Sequence, residues 1–246
     1  MELTAVSASM LRAVFASDQD MYPAPLTLDR LQSWVTACPS LSVCFRTSHP
    51  TTSRDDKDKM DSTPPLGVVI VCPLRRVVWE DLLAGRLREP DIDAASMFPS
   101  DDTDGGVGLH VFHIERLVPP AVFAQASGAG RSGGFAECAM EAVRAAAGQR
   151  LGWHVIGYSA LTATPEGKAA FRRMDFASTG HQERFPHATL EMMARGHNTP
   201  GSGNGSAGSA FEAAIRRCDA VGDMMGRMNS SLELLGSLCT TLSPDG

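Results

Sequence analysis

Residues 66–74, LGVVIVCPL, run for nine positions without a charged or amide side chain. A strand with one wet face alternates apolar and polar residues, so a continuous apolar run reads as a strand covered on both faces. A second long strand is expected at 107–118, VGLHVFHIERLV. Regular pleating would put Leu109, Val111, His113, Glu115 and Leu117 on one face, and His110, Phe112, Ile114, Arg116 and Val118 on the other. Shorter strands read at 2–6, 41–45, 154–163 and 188–195.

Helical periodicity fills the intervals. Residues 8–17 place Leu11, Val14 and Phe15 on one face. Residues 27–37 do the same with Leu28, Leu31, Trp34 and Val35, behind Thr27 as N-cap. A short helix is expected at 78–88. From Arg131, apolar residues Phe135, Cys138, Ala139, Ala142, Val143 and Ala146 recur at steps of three and four. Thr164-Pro165-Glu166 supplies a cap, a first-turn proline and a dipole-favoured acid for a helix ending near Met174. The fold class is α/β, an α+β mixed sheet with helices.

The remaining chain is polar. Residues 47–65 and 88–106 read as solvated insertions, and 120–130 as a loop. One domain, 1–195, carries these. Residues 196–210, GHNTPGSGNGSAGSA, read as a flexible linker. Residues 211–246 read as an amphipathic helical tail whose stripe over 211–242 suits a second copy of the chain or a protein partner.

Composition narrows the classes of function. The net charge is −6 with no dense basic patch, which argues against nucleic acid. No segment reaches the 18 apolar residues of a membrane span, and the tail is poor in Lys, so no membrane contact is expected. The six cysteines sit singly in apolar runs without a CxxC pair, and residues 1–20 lack a secretory pattern. These features fit free thiols in a soluble, intracellular protein, cytoplasmic with a nuclear location left open. His110 and His113 are an odd number apart on a strand, so they should face opposite ways and share no metal; no metal site is expected.

The segment with the clearest chemistry is Arg131-Ser132-Gly133-Gly134-Phe135-Ala136, at a helix start. Small residues let a ligand approach the backbone, and the free N–H groups and dipole there favour an anion such as a diphosphate. Arg131 adds a fixed positive charge. Gly128-x-Gly130-x-x-Gly133 also fits a dinucleotide fingerprint. That motif needs a strand directly before it and an acid about 20 residues on. The strand ends ten residues early, at Val118, and 150–160 holds no acid.

Arg131-x-x-Gly134-x-Ala136, after a strand ending Ile114-Glu115-Arg116-Leu117-Val118-Pro119, resembles the signature of the GCN5-related N-acetyltransferases. Ala169 to Phe176 is similar to that family's A-x-x-Tyr-x-x-x-Gly-Phe segment, with Phe171 in place of Tyr and Asp175 in place of Gly. The loop from Pro119 to Arg131 is longer than the family usually has. The resemblance covers roughly 2–195 and implies an acyltransferase that moves an acetyl group from acetyl-CoA to an amine of unknown size, by direct attack in a ternary complex. Acetyl-CoA would lie where the strand at 110–118 splays from that at 154–163. Its pantetheine amides would pair with backbone near Leu117 and Val118, and its diphosphate with residues 132–136. A backbone N–H near Leu117 would polarise the acetyl carbonyl. Phe171 would line the cofactor site, and Tyr158 is the candidate substitute for the absent Tyr. Glu115 is the candidate general base, its pKa expected to be raised on an apolar face. The alternative is a catalytically degenerate acyl-CoA-binding or interaction module that works through its tail.

Overall fold

The computed structural model describes residues 1–21, 25–48, 64–100, 106–128, 134–185 and 188–196. Most of the first polar insertion, Arg131, Ser132, Gly133, the linker from residue 197 and the whole tail lie outside the described residues.

The chain begins with β1 (Glu2–Ala5), α1 (Ala8–Met21) and α2 (Leu28–Ala37). Thr27 caps α2 by accepting the Arg30 N–H, as its sequence position implied. A 3-10 turn at Pro39–Leu41 then delays the next strand, so β2 is Val43–Arg46. β3 (Gly67–Arg75) leads directly into α3 (Arg76–Leu83), which starts two residues earlier and ends five earlier than the apolar spacing suggests. Then follow α4 (Ala94–Met97), β4 (Val107–Arg116), α5 (Pro120–Ser127), α6 (Phe135–Ala145), β5 (Val155–Thr162), α7 (Pro165–Arg173), β6 (Ala177–Phe185) and β7 (Ala188–Gly196).

Among the described residues, seven strands form one sheet in the order β1-β2-β3-β4-β5-β7-β6. Only β4 and β5 run parallel; every other neighbouring pair is antiparallel. The mixed sheet expected from the sequence is therefore present, and β3 is covered on both sides. Val68, Ile70, Cys72 and Leu74 pack with Leu11, Val14, Leu31, Trp34 and Trp79 of α1, α2 and α3. Val69 and Val71 pack with Phe135, Ala139, Met140 and Val143 of α6.

Four expectations change. Of the loop expected at 120–130, Pro120–Ser127 is helical, because Pro119 and Pro120 pre-set a helix start and Ala-rich α5 buries Phe123. The stretch 88–98 is not a solvated excursion: Glu89, Ile92 and Ala94 are buried, and α4 is capped by Asp93 accepting from the Ser96 N–H. β6 is an edge strand whose polar sequence, ASTGHQERF, hides it from pattern reading.

The fourth change concerns β4. Its register against β3 slips, with Ile70 opposite His113 and Val71 opposite Val111, so Phe112 is an extra residue in a bulge. One inserted residue inverts the alternation beyond it. His110 and His113 consequently face the same layer, and His113 and Glu115 leave the face of Leu109 and Val111.

Gly108 and Gly157 lie opposite each other on β4 and β5, and the indole of Trp79 lies flat against both. A Cβ at Gly108 would overlap that ring. Gly108→Ala should cost about 1–3 kcal/mol in urea unfolding, as overpacking does. Gly148→Ala, where nothing lies within 4 Å of the added carbon, should leave stability unchanged or raise it by less than about 1 kcal/mol.

Candidate active site

β4 and β5 pair from Val107 opposite Val155 to Val111 opposite Ala160, and there the pairing stops. β4 continues with β3 to the rung of Gly67 and Arg116, while β5 continues with β7 to Thr162 and Glu191. The carboxyl ends of two adjacent parallel strands thus separate. A cavity of about 270 Å³ fills the wedge, lined by Asp18, His113, Glu115, Thr164 and Phe171 among others. Such a crevice at strand carboxyl ends is a usual place for a ligand in an open α/β sheet.

The last paired rungs are fastened by a buried polar cluster. Trp79 Nε1 donates to Ser159 Oγ at 2.9 Å, Ser159 Oγ is 3.0 Å from His110 Nδ1, and His110 Nε2 is 2.6 Å from Glu89 Oε2. Burial pushes the Glu89 carboxyl above its ordinary range, against the pull of His110.

Beyond the bulge stands a second array. Asp18, at the end of α1, places Oδ1 3.1 Å from His113 Nδ1, and Glu115 Oε2 is 3.2 Å from His113 Nε2. Asp18 is 2% exposed and its Oδ2 has no hydrogen-bond partner among the described residues. Burial disfavours charge on His113, but the bonds to Asp18 and Glu115 outweigh it and raise the ring to about 9. The charged ring in turn lowers Glu115, whose side chain is 42% exposed. The raised Glu115 pKa expected from the apolar strand face is therefore reversed, because the bulge gives it an imidazolium neighbour.

Of the other residues singled out in the sequence, Phe171 lines the cavity and stacks edge-on with Phe176 at 4.8 Å. Asp175, where the family pattern has Gly, takes φ 63°, a left-handed conformation that Gly fits best and Asp tolerates. Tyr158 is not among the cavity-lining residues. It is buried on β5 beneath the Arg195 guanidinium, 4.7 Å from its ring, and burial pushes its hydroxyl up. Leu117 and Val118 follow β4. The Leu117 N–H donates to the Leu66 carbonyl at 3.0 Å, so it extends the β3–β4 ladder and is not free to polarise a substrate carbonyl. Gly134 is the N-cap of α6, and its N–H donates to Glu137 Oε2 at 3.1 Å. The Phe135 ring is held in the core between Phe45 and Phe123, at 5.2 and 5.4 Å, so only its backbone and that of Ala136 remain for a ligand.

Sequence reasoning weighed His113 only as a metal ligand and did not bring Asp18 to it. The spacing of His113 and Glu115, two apart on a strand, is a legible signal; Asp18, 95 residues from the ring it meets, leaves none. Among the described residues no group of three or more His, Cys, Asp or Glu side chains is placed to hold a metal ion. No helix among them is long and apolar enough to cross a membrane.

No protein-family model matches the sequence, and no curated protein matches it. Similar solved structures include Arabidopsis thaliana NAA60 in complex with acetyl-CoA, at 12% identity and a TM-score of 0.43, covering 80% of this chain and 99% of that one. Chaetomium thermophilum Naa20 in complex with a bisubstrate analogue has 12% identity and a TM-score of 0.41, covering 80% and 86%. Arylalkylamine N-acetyltransferase 2 from Aedes aegypti has 10% identity and a TM-score of 0.38, covering 80% and 99%. Likenesses this distant transfer no chemistry to the residues of the wedge.

The raised His113 ring links stability to pH. Its folded value of about 9 lies above its ordinary 6.5, so the stabilisation is complete below about pH 6.5 and lost as pH rises through about 9. Urea unfolding should show about 3 kcal/mol disappearing across that window. In Asp18→Asn most of that dependence should be gone; an equally steep loss in the variant would refute the assignment.

Proposed function

We propose that the chain is an acetyl-CoA-dependent N-acetyltransferase acting on an amine by direct attack. One observation carries the reading: the parallel pair β4–β5 ends at Val111 and Ala160, and the cavity opened there is lined by an acid–imidazole–acid array. The motif resemblance at Arg131-x-x-Gly134-x-Ala136 supports it. Beyond Val111, β4 has no β5 partner, so its free edge suits an extended ligand that pairs like an added strand, as the amides of a pantetheine arm do. Backbone N–H groups of Phe135 and Ala136, in the first turn of α6, suit a diphosphate. Glu137 lies on that end now and would yield the Gly134 N–H to the anion.

Glu115 is the group for the amine proton. It is the array's most exposed member, and His113 lowers its pKa, so it is ionised at neutral pH but a weaker base than the apolar strand face implied; its claim rests on position in the cavity. The amine nitrogen adds to the thioester carbonyl, its proton passes to Glu115, and the C–S bond breaks. Tyr158, away from the cavity, takes no part. Cys38, Cys44 and Cys72 are buried free thiols, which suits a cytoplasmic, reducing setting.

Calorimetry should show acetyl-CoA binding, and a thiol-release assay over a panel of amines should show turnover. Glu115→Gln should lower kcat by about 10²–10⁴-fold, the usual range for losing a general base, with the Kd for acetyl-CoA changed by no more than about twofold. Failure to bind acetyl-CoA overturns the reading. Binding without thiol release on any amine favours a degenerate acyl-CoA-binding module.

A further inference from the structure

We propose that His113, held by Asp18, is the acid that protonates the departing thiolate, and that Glu115 returns the proton to it. The proposal rests on the acetyltransferase reading above. As the C–N bond forms and the C–S bond breaks, an electron pair leaves on sulfur. One proton must leave nitrogen and one must reach sulfur. Glu115 takes the first, the imidazolium gives up the second, and Glu115 then passes its proton across the 3.2 Å contact to His113 Nε2. The array ends the cycle as it began, and no further reactant is needed.

Among the described residues lining the cavity, His113 is the one basic side chain. Asp18 and Glu115 are the two carboxyl groups beside it, and the remaining polar lining groups are the hydroxyls of Ser17, Thr162 and Thr164. Alcohols of this kind do not act as acids toward a thiolate, and Thr162 already donates to the Glu191 carbonyl. Tyr158, the acid suggested by the sequence, lies elsewhere.

Asp18 is the positioning residue. It reaches β4 from another element, touches one ring nitrogen and keeps its second oxygen without a hydrogen-bond partner although the residue is 98% buried by area. A buried carboxylate oxygen left unpaired is destabilising and calls for an explanation. Holding a cationic ring in one orientation supplies it. The charged groups facing the ring are Asp18 from α1 and Glu115 from β4, while β5 and α7 present only Thr162 and Thr164 from their side of the cavity. Asp18 also acts on buried Glu89 behind it. The resulting ring value of about 9 keeps His113 protonated at neutral pH and close to an alkyl thiol in acidity.

The test uses the full chain with acetyl-CoA and three amines: tyramine, spermidine and a short peptide with a free amino terminus. The His113 ring, assigned by NMR through its loss in His113→Gln, should titrate near 9, and well below that in Asp18→Asn. The alkaline limb of kcat should move to lower pH in Asp18→Asn, since a ring without its partner loses its proton sooner. His113→Gln should lose that limb and slow acetyl-CoA turnover by about 10²–10³-fold. It should slow much less with the acetyl ester of 4-nitrothiophenol, whose thiolate leaves without an acid. Asp18→Asn keeps side-chain volume and decides the matter where His113→Gln does not fold. Wild-type protein that releases no CoA with any amine overturns the acetyltransferase reading and this proposal with it. Wild-type turnover with an unmoved alkaline limb in Asp18→Asn, or equal slowing on both thioesters in His113→Gln, overturns this proposal alone.

Discussion

The separation of β4 from β5 after Val111 and Ala160 is the constraint on which the rest of the site depends. Each strand has a stronger claim elsewhere: β4 stays with β3 as far as Arg116, and β5 stays with β7 as far as Thr162. A split of this kind exposes backbone groups that a sheet normally satisfies, and it would unzip further unless the last rungs were held. Trp79 lies across the two opposed glycines and donates to Ser159, while His110 of β4 and Glu89 of the turn at Glu89–Asp91 close the same cluster. Parallel pairing ends at Val111 and Ala160, next to the rungs that this cluster ties together.

Two acid–histidine pairs share one face of β4, and their environments drive their carboxylates in opposite directions. Glu89 is enclosed with His110, and burial dominates, so its carboxyl is raised. Glu115 is half open to solvent, and the neighbouring His113 dominates, so its carboxyl is lowered. The first pair suits fastening the sheet, because a fully buried cluster with satisfied hydrogen bonds specifies one arrangement. The second suits proton transfer, because its members reach the cavity. Separation of titratable groups by environment is how one fold supplies both acid and base.

The sequence made much of this scaffold legible. The apolar run at 66–74 required cover on both faces, and α1, α2 and α3 on one side with α6 on the other supply it. Thr27 and Thr164 read as caps because a hydroxyl before a helical period has few other uses, and both accept the expected N–H. What stayed hidden was non-periodic or non-local. Phe112 looks like any other strand residue, yet as the bulged one it reverses the facing of everything after it. β6 carries the polar composition of an exposed edge, and Glu89 stands in an acidic stretch that resembles solvated chain. Asp18 meets His113 only through tertiary packing. Of the site, Glu115 and Phe171 could be read, whereas the ring between two carboxylates could not.

These failures have a common source, and it is the same feature that brings the ring between its two carboxyl groups. A β4 of uniform pleat would leave His113 and Glu115 on the face of Leu109 and Val111, against the apolar packing of α6, where neither Asp18 nor the cavity could reach them. The bulge forfeits regular pairing at one residue and turns the following side chains toward α1. There, a carboxylate buried at the end of a helix can make a cation of a histidine that desolvation alone would keep neutral. Periodicity is the means by which a sequence declares its fold, so a residue that breaks it is costly to read and costly in pairing. Such breaks persist where the re-aimed side chains serve a purpose. In this chain the break falls next to the last parallel rung, so the two irregularities act together: one opens the sheet, and the other turns an acid–base array into the opening.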